Sequence, residues 1–447
     1  MPLRKSTREL PRKVAGGVEA CSGVRSIELA MMGTSAMSDR FDVIIAGGGY
    51  IGMTLACALR DADESIAVAV IDPRPMDSAL RDGRASAIAA AARRMYVHLG
   101  VWPEMEPAAQ AINEMIVTDS RLGDSLRPVY LTFAGAIRDG EPFAHMVPNG
   151  IMVKALARRA ADLGVAILPP AAVSDFKVEP GEVKAQLSTG QSLSCRLLVA
   201  ADGVKSRLRA LAGIRTVDWD YGQSGIVTTV RHERPHDGRA EEHFLPAGPF
   251  AILPLADDAE GRHRSSLVWT ERTKTAEKII SFDDFTFRLE LERRFGHHLG
   301  DLEVAGPRNA YPLGLKLARD WVKPRFALAG DAAHGIHPIA GQGLNLGLRD
   351  VAALAQVLVE ARRLGLDIGA LDVLERYQTW RRFDAFEMGV VTDTLNRLFS
   401  NDFTPLRALR DLGLGIVDRL PSLKQRFIGE AAGSGGGLPR LLRGEAI

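Results

Sequence analysis

Apolar residues along this chain fall into short runs of strand length, separated by longer segments with helical spacing. That alternation predicts an α/β fold on a mostly parallel sheet. The first run, Phe41-Asp-Val-Ile-Ile-Ala46, passes through a glycine-rich turn into a helix pattern. A second run, Ile66 to Ile71, ends in Asp72. An alanine-rich helix is predicted after Arg84, residues 113–145 read as strand-rich, and a clear helix is predicted over Ile151–Leu163. Val165–Leu168, Val183–Leu187 and Leu197–Ala201 read as strands, the last ending in Asp202-Gly203. A further strand, Phe326–Ala329, meets Gly330-Asp331, and Gly341-Gln-Gly343 then opens an amphipathic helix.

Length and composition narrow the class. The 447 residues suit two or three domains with a real core. With 56 basic against 55 acidic residues, nothing in the charge points to nucleic acid. Cys21, Cys57 and Cys195 are odd in number and far apart, which argues against a disulfide framework and fits a reducing cytoplasm. No apolar stretch approaches the roughly 18 residues of a membrane span, so any membrane contact is expected to be peripheral. Residues 1–40 are basic at the start and lack apolar periodicity. They read as a disordered extension or a mis-assigned start, with Met37 as the alternative initiator. An organelle transit segment is the other reading of that composition.

The glycines carry the first candidate chemistry. Gly47-x-Gly49-x-x-Gly52 between a strand and a helix permits a tight turn, close approach of a pyrophosphate and close helix–strand packing. Asp72 stands about 20 residues beyond the third glycine, where a ribose hydroxyl would sit. Asp331, at a strand tip, can accept hydrogen bonds from sugar-like hydroxyls, and the Gly341 helix start offers bare N–H groups. Arg84 reads either as a diphosphate contact or as a solvated arginine, and Asn149 either caps its helix or touches a ligand. His334 and His337 sit in a Gly/Pro loop without a third ligand, so no metal site is expected.

Taken in order, Gly47-x-Gly49-x-x-Gly52, Asp202-Gly203-x-x-Ser206-x-x-Arg209 and Gly330-Asp331 resemble the three FAD motifs of the class A flavoprotein monooxygenases, the p-hydroxybenzoate hydroxylase-like group. The stretch His337-Pro-Ile-Ala-Gly-Gln-Gly-Leu-Asn-Leu-Gly-Leu-Arg-Asp350 is similar to the signature of the ubiquinone-biosynthesis hydroxylases, the UbiH and COQ6 family. Trp219–Gln223, Glu242–Leu255, Ser266–Trp269 and Tyr311–Leu313 also resemble that family. The resemblance implies a Rossmann-like FAD-binding domain, discontinuous in sequence, over 41–112, 147–212 and 305–365. It also implies a β-sheet substrate domain over 113–146 and 213–304, and a C-terminal helical region over 366–447.

By the same resemblance, Gly47, Gly49 and Gly52 face the FAD pyrophosphate and Asp72 the adenosine ribose, where the family more often has glutamate. Arg84 and Asn149 match positions near the diphosphate and ribityl chain. Asp202 and Gly203 belong to a motif linked to both FAD and NAD(P)H. Gly330 and Asp331 address the ribityl hydroxyls, and the backbone of Gly341, Gln342, Gly343, Leu344 and Asn345 lies near the flavin pyrimidine edge. Reduced flavin is anionic at that edge, and a helix N-terminus stabilises negative charge.

The implied reaction is NAD(P)H reduction of FAD, O2 addition to give a C4a-hydroperoxide, and oxygen transfer to a polyprenylated phenol in ubiquinone biosynthesis. Water must be excluded, and the Phe250–Leu255 run and the Pro338–Ala340 loop are the expected walls. Tyr221, His243 and His337 are the candidate bases for the phenol proton. Two rivals stand beside this reading: a hydroxylase of a small soluble aromatic, and a flavin-binding accessory subunit of a quinone-biosynthesis complex. The segment from Pro405 to Ile428 is apolar on one face and basic on the other, which suits a membrane surface, a partner subunit or packing on its own domain. The expected location is the cytoplasm, peripheral on the inner face of the cytoplasmic membrane, or the mitochondrial matrix side in a eukaryote.

Overall fold

The computed structural model describes residues 39–75, 78, 82–122, 129–134, 140–337, 339–400 and 437–447. The expectations for the first 38 residues and for the amphipathic stretch after Pro405 lie outside the described residues. Val43, Ile44 and Ile45 are all fully buried, as an uninterrupted apolar strand must be when both faces of a parallel sheet are covered. Arg40–Ala46 pairs in parallel with Val68–Ile71 on one side and Ser192–Ala200 on the other. Phe326–Leu328 continues the sheet in parallel beyond Ser192–Ala200. The helices Tyr50–Ala62 and Gln342–Arg363 contribute apolar faces to the same core. The four strands therefore end side by side, and their C-terminal tips carry Gly47, Asp72, Asp202 and Gly330.

The second sheet is built around the long strand Thr216–His232, which pairs antiparallel with His263–Arg272 and with Asn309–Ala318. Asn309–Ala318 thus belongs to the second sheet, although the resemblance groups it, within 305–365, with the FAD-binding domain. Its alternating pattern pairs it with Thr216–His232, and only the strand at Phe326 returns to the first sheet. Gly248–Leu255, Arg239–Leu245, Glu114–Asp119 and Val129–Ala134 complete the layer. A small sheet of Ala85–Ala89, Ala144–Pro148 and Gln110–Ile112 lies in the same chain region as the motif residues Arg84 and Asn149.

Period-two alternation gives the second sheet two different faces. Leu245, Phe250, Ile252, Leu267 and Trp269 pack against the helices Thr273–Ile280 and Asp284–Phe295. On the other face, Ala240 and Leu255, with Leu253, cluster with Met146, Ala85 and Ala87 of the small sheet. Phe244, Val117 and Leu131 form a second cluster there with Phe399, whose ring stacks on Phe244 at 4.2 Å. The Phe250–Leu255 run is therefore not one wall. Phe250 and Ile252 look away from the small sheet, while Leu253 and Leu255 look towards it.

Between those two clusters, on the strand position shared by Ala240 and Phe244, stands Glu242. It is 5% exposed, lies opposite Val117 and Ala251, and has no hydrogen-bond or ion-pair partner among the described residues. Burial alone pushes its carboxyl up to about 7. A raised acid binds more protons folded than unfolded, so stability is full below about pH 4.5 and is lost as pH rises through about 7. Glu242→Gln removes this titration. The variant is expected to match the parent in urea unfolding near pH 4 and to exceed it by about 3 kcal/mol near pH 8. A gap of the same size at both pH values would show that the carboxyl is not desolvated.

Candidate active site

The three glycines of the first turn meet three different constraints. Gly47 has φ +124°, and a Cβ there would lie 2.2 Å from the Ala201 oxygen. A Cβ on Gly52 would lie 1.9 Å from the Gly47 oxygen, so the helix can approach its own turn only without a side chain. Gly49 faces open space and caps Tyr50–Ala62 without any side-chain acceptor, leaving the first-turn N–H groups available to a ligand. Asp72 accepts hydrogen bonds from the Gly48 N–H at 2.8 Å and the Arg74 N–H at 2.8 Å. Its carboxylate is thereby fixed beside the turn.

The Gly330-Asp331 turn is held from beneath by Asp350. That carboxylate is fully buried and accepts from the Gly330 N–H at 3.1 Å and from Arg381 Nε at 3.1 Å, and it pairs with His334 Nε2 at 2.5 Å. Gly330 takes φ +62° against Ile51, which brings the turn onto the first helix. Asp331 remains solvent-accessible at its tip, yet crowding by protein raises its carboxyl, with Asp350 adding to the effect. Tyr50 is raised by burial first and by Asp331 second, which places the two motif starts within electrostatic reach.

Arg84 lies beside them, but its guanidinium grips Asp82 through two bonds of 2.8 and 2.7 Å and covers the Tyr311 ring at 5.1 Å. Burial works to raise Asp82, and the hydrogen bonds from Arg84 and Asn149 outweigh it, holding the carboxyl down at about 2. Asn149 donates to Asp82 at 3.1 Å and accepts from Ser86 at 2.7 Å. It is the first residue of its helix, Asn149–Asp162, and does not cap it. Gly341, with φ +64°, caps Gln342–Arg363 without a side-chain bond, and Gly343 faces open space. Leu344 packs on the core, while the Asn345 amide accepts from the Ala89 N–H at 2.9 Å and donates to the Ala87 oxygen at 2.9 Å. Asn345 therefore pins the helix start to the small sheet.

The middle motif is spent largely on architecture. Asp202 accepts from the Arg207 N–H at 3.1 Å, Gly203 turns with φ +85°, and Ser206 caps the short helix by accepting from the Arg209 N–H. Buried Arg209 then donates to the Ala332 oxygen at 2.8 Å and the Val204 oxygen at 2.9 Å. The side chains thus tie the second motif to the third.

The three candidate bases separate sharply. His243 has both ring nitrogens engaged, with Thr118 at 2.6 Å and Ser120 at 3.1 Å, and neither is left to take a substrate proton. Tyr221 and His337 meet edge to face with ring centroids 5.4 Å apart. His337 is completely buried with neither nitrogen hydrogen-bonded, and burial pushes it down to about 4, so it is neutral at pH 7. Burial and then the Asp393 carboxylate raise Tyr221, although no hydrogen bond closes between the two. Asp393, which the sequence reading passed over, holds Arg397 at 2.9 Å through its other oxygen. Glu242 was also passed over. A carboxylate in phase with Ala240 and Phe244 along a strand was its visible signal.

Open space at Gly49 and Gly343, two uncapped helix starts and a strand-tip carboxylate suit a ligand with a diphosphate and a hydroxylated chain. FAD has both. Residues 40–384 match the family model described as an FAD binding domain. The chain is 46% identical to the ubiquinone hydroxylase UbiL of Rhodospirillum rubrum, over 90% of this chain and 92% of that protein. It is 33% identical to the 3-demethoxyubiquinol 3-hydroxylase of Escherichia coli, over 88% of this chain and 98% of that protein. The crystal structure of p-nitrophenol 4-monooxygenase PnpA from Pseudomonas putida superposes with a TM-score of 0.72 at 20% identity, over 89% of this chain and 99% of that one, and shows the shared fold. The chain belongs to the FAD-binding domain family and is an FAD-dependent monooxygenase.

Proposed function

We propose that this chain hydroxylates the aromatic ring of a polyprenylated phenol in ubiquinone biosynthesis. The observation that carries the reading is the apolar sheet face of Ala240, Leu253 and Leu255 set against Ala85 and Ala87. Ala87 in turn lies 3.4 Å from where a Gly341 Cβ would stand, so this apolar face adjoins the uncapped helix start. Likeness to two ubiquinone-pathway hydroxylases supports the same substrate class.

Gly47, Gly49 and Gly52 would hold the FAD pyrophosphate, Asp72 the ribose, and Asp331 the ribityl hydroxyls. Arg84, its charge met by Asp82, and Asn149 would border the diphosphate, and the Gly341–Asn345 backbone would meet the pyrimidine edge. Bound there, FAD would supply the redox chemistry of a flavin monooxygenase, with NAD(P)H as reductant and O2 as co-substrate. The protein's part is to orient the ring on the apolar face and to keep water from it. A small aromatic bearing a carboxylate is the rival substrate, and it is disfavoured because the ionisable side chain in the middle of that face is itself a carboxyl, Glu242.

No helix among the described residues is long and apolar enough to cross a membrane. We place a peripheral membrane contact on the outer side of the helix Leu371–Phe399, where Phe383, Phe386 and Val390 lie exposed at i, i+3 and i+7. Phe383 and Phe386 border a cavity of about 650 Å³.

Deleting the gene in its host should deplete the quinone and accumulate an under-hydroxylated precursor, read by mass spectrometry; normal quinone levels would overturn the function. Asp331→Ala is expected to purify with little flavin absorbance, and a full flavin complement would remove the ribityl role. Phe383→Ser combined with Phe386→Ser should lower co-sedimentation with phospholipid vesicles several-fold at unchanged flavin content. Equal sedimentation would move the membrane contact elsewhere.

A further inference from the structure

A carboxyl buried without a partner is costly to a fold, and such groups persist where a ligand supplies what the protein withholds. Glu242 is in that position. Its strand neighbours on the same face, Ala240 and Phe244, belong to two apolar clusters, and the residues opposite it are Val117 and Ala251. None of these four can donate a side-chain hydrogen bond. Through Leu253 and Leu255 the same face reaches Ala87, which borders the Gly341 helix start. The carboxyl therefore stands on the surface assigned to the substrate ring, resting on the phenol reading above.

We propose that Glu242 is the catalytic residue that receives the proton of the substrate's aromatic hydroxyl. The substrate O–H bond breaks, an O–H bond forms on the Glu242 carboxylate, and the negative charge passes from the carboxylate to the ring oxygen. No oxidant or reductant enters this step. The resulting phenolate is a more electron-rich ring for oxygen transfer. The competing bases are less suited. His243 has no free nitrogen, and burial leaves His337 a weak proton acceptor. Glu242, by contrast, sits near neutrality, where a base can both be ionised and hold a proton.

The test uses the FAD-loaded protein without reductant, with flavin fluorescence reporting the binding of 2-geranylphenol and of its O-methyl ether. The phenol can donate to Glu242 and the ether cannot. Glu242→Gln is expected to weaken phenol binding about tenfold, the loss of a charge-assisted hydrogen bond, and to leave ether binding unchanged. Phenol binding that is unchanged, or that falls together with ether binding, would overturn the assignment while leaving the hydroxylase reading intact. Failure of the parent protein to bind the phenol at all would take down both.

Discussion

Everything at the nucleotide edge of this molecule depends on one buried carboxylate. Asp350 receives the Gly330 N–H, His334 and Arg381 at once, from the motif segment and from the long C-terminal helix. A charge buried so completely is tolerable only when opposite charge and hydrogen-bond donors surround it. Here the donors are the turn, the loop that follows it and the long C-terminal helix. Satisfying Asp350 therefore fixes where Gly330 and Asp331 lie, and Arg209 then ties the second motif to the same turn through Ala332. Three short motifs scattered over nearly three hundred residues become one rigid edge.

The second sheet is organised by the opposite principle. Its two faces differ in what they touch, and the apolar face towards the small sheet is tolerant of almost anything except an unpaired charge. Glu242 violates that rule, and among the described residues no side chain compensates for it. Stability and chemistry pull against each other at this position. Proteins commonly accept such a loss at a working site.

Much of the edge was legible in the sequence because glycine, at Gly47 and Gly52, records steric facts that no other residue can satisfy. The strands of the first sheet were legible as uninterrupted apolar runs, but their order was not. Side-chain employment was not legible. Asp202 and Asn345 stand in motif positions that suggest ligand contact, yet their polar atoms serve a helix cap and a strand backbone. His243 looked available until Thr118 and Ser120, more than a hundred residues earlier, were found on its two nitrogens. Asn309–Ala318 pairs with Thr216–His232 although the resemblance groups it with the FAD-binding domain, because family-level bounds say nothing about a strand's pairing partner. Asp393 and Glu242 escaped notice because motifs draw attention to glycines and histidines. A carboxylate out of place on an apolar face is detected only when strand phase is counted residue by residue.

The helix Leu371–Phe399 acts on both layers. About three turns in, Arg381 grips Asp350, and near the helix end Asn396 donates to Gln223 of the second sheet at 2.9 Å while Phe399 stacks on Phe244. The fifteen helical steps from Arg381 to Asn396 make a strut of roughly 22 Å whose two grips must also keep their relative rotation. The strut works as a gauge block between the nucleotide edge and the sheet that faces it. Substitutions on its outer stripe leave the gauge unaltered. Gain or loss of a single residue within it would turn one grip about 100° away from its partner, so the outer stripe of this stretch is free to vary in composition while its length is fixed.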